Sequence, residues 1–159
     1  MSQTLGRVGE YLCAAALEEL SVKCSIVNQS GFDILAFVGE RVVRIQVKST
    51  SCIRQINDRP GQYYTFLCAK NSKKKKITKK DADIVALVAI DRRLVYFIPV
   101  EQITGINKRI RPEVFDNENL EKESWNECIN TKPSPVRNRN SRGKSERDDI
   151  LSSIDAGAD

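Results

Sequence analysis

The sequence contains no histidine, one methionine and one tryptophan, and aromatic residues make up 6% of its 159 positions. The lack of histidine excludes a Ser-His-Asp triad, an imidazole general base and any His-containing zinc site. No CxxC occurs. The five cysteines, Cys13, Cys24, Cys52, Cys68 and Cys128, stand singly in apolar segments. That pattern predicts reduced core thiols in a cytosolic protein rather than disulfides or a metal knuckle. The N-terminus has no charged start followed by an apolar run, so no signal peptide is expected. No apolar stretch approaches the ~20 residues of a membrane span. The expectation is a cytoplasmic protein with no membrane partner. A phosphate-cradling glycine loop is also missing, which leaves small-molecule phosphate chemistry without support.

What is present is a globular composition with a polar excess: 40% hydrophobic, 30% charged, net charge +5. The length suits one domain with one core. Charge is uneven. Residues 71–80 (NSKKKKITKK) carry six lysines and no acid, and residues 81–129 carry 10 acids and 6 bases. From about Asn130 the chain reads TKPSPVRNRNSRGKSER, with one valine as its only large apolar residue. Such a segment cannot bury enough surface to offset chain entropy. The expected division is a folded domain over 1–129 and a disordered tail over 130–159, basic first and acidic last.

Residues 4–20 have helical spacing through Val8, Leu12, Ala15, Ala16 and Leu20, with Thr4 as the cap. Strands are expected at FDILAFV (32–38), RVVRIQVKST (41–50) and YYTFLCAK (63–70). ADIVALVAI (82–90) and LVYFIPV (94–100) form a second hairpin across Asp91-Arg92-Arg93. VEQITGIN starts a short helix, and residues 119–129 form a closing helix. The fold class is α/β, a small mixed sheet flanked by helices.

The first hairpin carries the sharpest inference. A two-residue Gly39-Glu40 turn of type II′ makes paired residues sum to 79. Phe32/Val47, Ile34/Ile45 and Ala36/Val43 then form one apolar face. Asp33/Gln46, Leu35/Arg44 and Phe37/Val42 form the other, and Lys48 lies two residues beyond Gln46 on that second face. Asp33, Gln46 and Lys48 therefore converge at the open end of the hairpin. The carboxylate of Asp33, the amide oxygen of Gln46 and a strand carbonyl, that of Val47, are hard ligands of the kind Mg²⁺ takes. A metal there activates water and neutralises a scissile phosphate, and a lysine beside it stabilises the transition state. The same short pattern also describes a strand edge with solvated polar residues. Glu10 lies in the first helix, with Cys13, Ala14 and Leu17 as its helical neighbours. A carboxylate on such a stripe is costly to bury unless paired or cation-bound, and at the stripe's edge it reaches water instead.

GRVGEYLCAAALEEL, then SGFDILAF, then VVRIQVKST resembles the PD-(D/E)XK nuclease superfamily over roughly 6–100. Within it, the chain is similar to archaeal-type Holliday junction resolvases and to small cyanobacterial intron-encoded homing endonucleases. The resemblance implies a restriction-endonuclease-like α-β-β-β-α-β core. It makes Glu10, Asp33, Gln46 and Lys48 the catalytic set, with Asp33 as metal ligand assisted by Glu10 and Lys48 near the attacking water. It implies Mg²⁺, with Mn²⁺ able to substitute, and 5′-phosphate ends. Gln46 stands where an acid is usual, as in the homing-type enzymes. With one acid fewer, a single metal is easier to justify than two. Ser30-Gly31-Phe32 lacks the proline of the superfamily's name.

Lys73, Lys74, Lys75, Lys76, Lys79 and Lys80 form a cationic loop suited to DNA phosphates, with salt-dependent affinity and little sequence content. Arg7 and Ser49, beside Glu10 and Lys48, join the DNA-binding set. Arg44, Arg54, Arg59, Lys70, Arg92 and Arg93 are further candidates, and one of Tyr63 and Tyr64 is expected to pack. Cutting two strands favours a homodimer or homotetramer. The substrate is either branched DNA or a specific duplex site. The competing class is a catalytically inactive nucleic-acid-binding module, which would need no metal.

Overall fold

The computed structural model of the chain describes residues 2–29, 31–55, 60–70 and 75–131. Helix α1 (Ser2–Glu19) is followed by β1 (Lys23–Gln29), β2 (Phe32–Val38) and β3 (Arg41–Thr50). Short strands β4 (Ile53–Gln55), β5 (Gln62–Leu67), β6 (Ala69–Lys70) and β7 (Lys75–Lys76) come next. Then come β8 (Ile84–Ala89), β9 (Leu94–Pro99), β10 (Asn107–Ile110) and helix α2 (Leu120–Asn130). The main sheet has the order β1-β2-β3-β8-β9, and a second sheet has the order β10-β5-β4.

β8 (IVALVA) organises the layers. All six of its residues are buried, as an uninterrupted apolar run predicts for a strand covered on both faces. Ile84, Ala86 and Val88 pack with α1 and α2 residues such as Leu17 and Trp125. Val85, Leu87 and Ala89 pack with Tyr64, Phe66 and Ile110 of the second sheet. The result is three layers: helices, main sheet, second sheet. β3 and β8 run parallel. Among the described residues, the crossover between them carries strands and no helix.

The first hairpin has the anticipated register. Ile34 faces Ile45, Ala36 faces Val43 and Val38 faces Arg41. Gly39 takes φ +60° at the first turn position, the left-handed value a II′ turn requires. β9 pairs with β8 alone in the sheet, and α2 covers its free edge. Val95 N–H donates to Glu121 Oε1 at 3.1 Å, and Phe97 N–H donates to Ser124 Oγ at 3.1 Å. These bonds satisfy edge donors that would otherwise invite another strand.

Several expectations are corrected. Helix α1 begins at Ser2, so Thr4 lies inside it rather than at a cap. Its buried stripe is Gly9, Cys13, Ala16 and Leu17, whereas Val8 and Ala15 are exposed. Small side chains let the helix lie close to the sheet, and that turns the stripe by about one position. Residues 23–29, for which no element was expected, form β1 and pair antiparallel with β2. Residues 63–70 divide into β5 and β6, and VEQITGIN yields a three-residue 3-10 turn (Val100–Gln102) before β10. Cys13, Cys68 and Cys128 are buried thiols, while Cys24 is half-buried and Cys52 exposed.

Candidate active site

β2 pairs regularly with β3 up to Ile34/Ile45. One residue further, the Asp33 side chain takes over from the backbone. Its Oδ2 accepts the Val47 backbone N–H at 2.7 Å and Gln46 Nε2 at 2.6 Å. From Ile45 onward β3 pairs instead with β8. The aspartate therefore sits where β3 leaves one neighbour for another. Lys48, on the same face as Gln46, donates from Nζ to the Ala69 carbonyl at 3.0 Å.

Glu10 reaches this point through the residue before it. Gly9 is buried, and a Cβ there would lie 1.8 Å from Ser49 Oγ and 3.0 Å from Ser49 Cβ. Only glycine lets α1 settle on β3 at this level. Glu10 keeps 17% side-chain exposure, and its Oε2 is buried with no hydrogen-bond donor. Arg7 Nη1 stands 3.5 Å from that oxygen as an ion pair.

Both carboxyls are held above the ordinary range. Burial raises Glu10, and the negative charge of Asp33 raises it further, against the pull of Arg7. Burial raises Asp33, against the Val47 N–H and the charge of Lys48. A buried carboxylate that feels its neighbour's negative charge and has an oxygen without a hydrogen-bond donor fits a divalent cation. Gln46 spends Nε2 on Asp33, which leaves Oε1 as its atom for a cation or a water. Among the described residues, no group of three or more His, Cys, Asp or Glu could hold a metal. The donor set is two acids, an amide and backbone, which suits an ion that retains waters.

The remaining predicted positions scatter more widely. The Ser49 hydroxyl is buried against Gly9 without a hydrogen-bond partner. Arg7 pairs with Glu10 and lies over the Tyr11 ring at 5.5 Å, so it serves the site's charge balance. Lys73 and Lys74 lie outside the described residues, as does Arg59. Lys75, Lys76, Lys79 and Lys80 are exposed. Lys79 pairs with Glu101 at 3.2 Å, and Lys76 donates to the Ile103 carbonyl at 3.3 Å.

Arg44 is half-buried and tied into the fold. It bonds Asp83 through Nε (3.2 Å), Nη2 (3.1 Å) and its backbone N–H (2.9 Å), and it also caps the Lys79 and Lys80 carbonyls. Lys70 pairs with Asp81 and Arg92 with Asp116. Tyr64 is the tyrosine that packs, fully buried, with its hydroxyl on Asp91 at 2.6 Å. A cavity of about 610 Å³ opens at the other end of β3, lined by Arg41, Val43, Lys79 and Glu101, and none of the four candidate catalytic residues lines it.

Sequence reasoning missed Gly9, the Ala69 carbonyl and the Arg44–Asp83 clamp. A glycine directly before Glu10 in a helix was a readable signal. The clamp joins residues 39 apart, and nothing in the sequence links them.

The sequence model of the family described as PD-(D/E)XK endonuclease matches residues 3–129. No curated protein matches the chain significantly. Among solved structures, the chain is similar to the bacterial homing endonuclease I-Ssp6803I. The identity is 13% and the TM-score 0.52, over 82% of this chain and 99% of that one. At that identity the likeness is one of fold.

Proposed function

The chain belongs to the PD-(D/E)XK endonuclease family, and from that premise we propose that it is a Mg²⁺-dependent DNA endonuclease working through Glu10, Asp33, Gln46 and Lys48. The observation that carries this is the Asp33 carboxylate, fixed by Gln46 and the Val47 N–H, whose charge acts on a Glu10 oxygen that is buried without a hydrogen-bond donor. Asp33, Glu10, the Gln46 amide oxygen and the Val47 carbonyl would hold the ion, with Mn²⁺ able to substitute. The ion supplies Lewis acidity toward water and neutralises charge on the scissile phosphate. Lys48 keeps a positive charge beside Asp33, where negative charge develops on the phosphate in the transition state. Gln46 holds Asp33 without adding a second negative charge to it. Burial of Asp33 and Glu10 in a partly dry site strengthens these interactions.

The exposed Lys75 and Lys76 supply phosphate contacts near Lys48, since Lys48 bonds the β6 strand that pairs with β7, and Lys79 and Lys80, next to Arg44, extend the cationic surface. We assign catalysis to residues 1–129 and read 130–159 as an extension whose basic part adds to DNA affinity. Residues 132–159 lie outside the described residues. Gln46 and the fold shared with a homing endonuclease favour a duplex site over a junction. Cutting both strands calls for a homodimer or homotetramer.

The test is cleavage of a randomised duplex library and of a synthetic four-way junction, with Mg²⁺ or EDTA, by the wild type and Lys48→Ala. Mg²⁺-dependent cutting of duplex that Lys48→Ala loses supports the proposal. Preferential cutting of the junction would reassign the substrate. DNA binding without cutting, equal in EDTA and in Asp33→Ala, would make the chain a binding module.

A further inference from the structure

Asp81 lies in no motif, yet it touches both halves of the site. Its Oδ1 accepts Lys70 Nζ at 2.9 Å. Its Oδ2 accepts the Thr78 N–H at 3.0 Å and the Thr78 hydroxyl at 3.1 Å. The side chain is 11% exposed. On its other side the turn abuts Gly31, two residues before Asp33. A Cβ on Gly31 would lie 3.4 Å from the Asp81 carbonyl oxygen and 3.5 Å from its Cα, and Gly31 holds φ +98°. Arg44 grips the carbonyls of Lys79 and Lys80, directly before Asp81.

Lys70 is the neighbour of Ala69, whose carbonyl accepts Lys48 Nζ. That carbonyl belongs to a strand of two residues, paired at Ala69/Lys76 and Lys70/Lys75 and prolonged by the Ile77 N–H donating to the Cys68 carbonyl at 3.0 Å. A two-stranded ladder this short is marginally stable alone, and Lys70 stands at the end of it away from Cys68. A lysine side chain has many rotamers to lose, so one acceptor orients Lys48 only if the acceptor is itself fixed. The Lys70–Asp81 pair ties that strand to the turn resting on Gly31.

We propose that Asp81 is a positioning residue for Lys48: through Lys70 it fixes the Ala69 carbonyl and so aims the Lys48 ammonium at the Asp33 end of the site. This rests on the proposed role of Lys48. An aspartate in a turn thereby sets the distance between the catalytic lysine and the metal-binding carboxylate.

The test compares single-turnover cleavage, DNA affinity in EDTA and thermal unfolding for the wild type, Asp81→Asn, Lys70→Gln, the double variant and Lys48→Ala. Asp81→Asn keeps an acceptor for Thr78 but loses the charge that holds Lys70. Its cleavage rate is expected to fall about tenfold, the scale of a misaimed catalytic group. Removing a negative charge cannot weaken DNA binding by Coulomb repulsion, so affinity should hold. Lys70→Gln, which leaves the Thr78 contacts intact, should lose as much rate as Asp81→Asn, and the double variant no more than either. The inference is overturned if Asp81→Asn cleaves at the wild-type rate, or if the two losses multiply. It is also overturned if rate, affinity and melting temperature fall together, since Asp81 would then only fold the turn. A Lys48→Ala protein that cleaves like the wild type is a separate failure, that of the functional reading itself.

Discussion

Asp33 and Asp83 lie at the two edges of β3's polar face and are treated in opposite ways. Asp83 meets a guanidinium and a backbone N–H, and burial is outweighed by its bonds to Arg44, so its carboxyl is held below the ordinary value. Asp81 nearby is likewise held low, its burial outweighed by bonds from Lys70 and Thr78. Asp33 and Glu10 are pushed up by burial, with Asp33 adding to the strain on Glu10. The fold neutralises the acids that hold it together, whereas at Glu10 and Asp33 the charges of Arg7 and Lys48 fall short of offsetting burial. That shortage is what a divalent cation would relieve, and stability is given up for it locally.

The contrast can be broken by substitution. The largest effect is expected for Asp33→Asn, which should lower Mg²⁺-dependent cleavage about 10²-fold or more, as loss of a preorganised charged group does. Without metal the same variant should melt at or above the wild-type temperature, because a poorly compensated buried charge is gone. Asp83→Ala should do the reverse. It leaves the Arg44 donors unpaired and should destabilise by about 1–3 kcal/mol, read by denaturant unfolding. Cleavage should suffer only as far as folding does.

Gly9→Ala drives a methyl toward Ser49 Oγ. Overpacking of this kind costs about 1–3 kcal/mol. Ser49→Ala in the same chain should recover part of the loss, since the shortest contact disappears with the hydroxyl, and thermal unfolding of the two variants decides it. A recovery of nothing would mean that α1 does not rest on β3 through Gly9.

The smallest effect is one of pH. Glu10 and Asp33 have raised folded values, so their contribution to stability is greatest at acid pH and is lost as pH rises through those values. Asp81 and Asp83 have lowered values, so theirs is present above the ordinary aspartate value of 3.8 and is lost as pH falls below it. As pH falls from neutral toward the ordinary carboxylate range, metal-free wild type should gain stability that Asp33→Asn does not, measured by unfolding at each pH.

How much of this was legible follows from range in sequence. The β2–β3 register could be read because a two-residue turn and strict alternation fix it locally, and it brought Asp33, Gln46 and Lys48 to one face before any coordinates. The buried run of β8 announced its place between two layers. β1 was missed although Cys24 and Ile26 alternate with Lys23 and Ser25, because seven residues with two polar ends give a weak period. The lysine run was read as one cationic surface. The structure divides what it describes into cations with partners, such as Lys79 on Glu101, and others on an exposed short strand. The surroundings of Arg44 and Ser49 were not legible for one reason: Asp83 and Gly9, which lie against them, are distant in sequence and carry no periodic signal.

The most direct measurement is a carbon-detected NMR titration of the carboxyl groups of Glu10, Asp33, Asp81 and Asp83, with and without Mg²⁺. Without metal, Glu10 and Asp33 should titrate above their ordinary values and Asp81 and Asp83 below them, and Mg²⁺ should lower the first pair while leaving the second in place. Glu10 and Asp33 titrating at or below ordinary values without metal, and unmoved by Mg²⁺, would contradict the account.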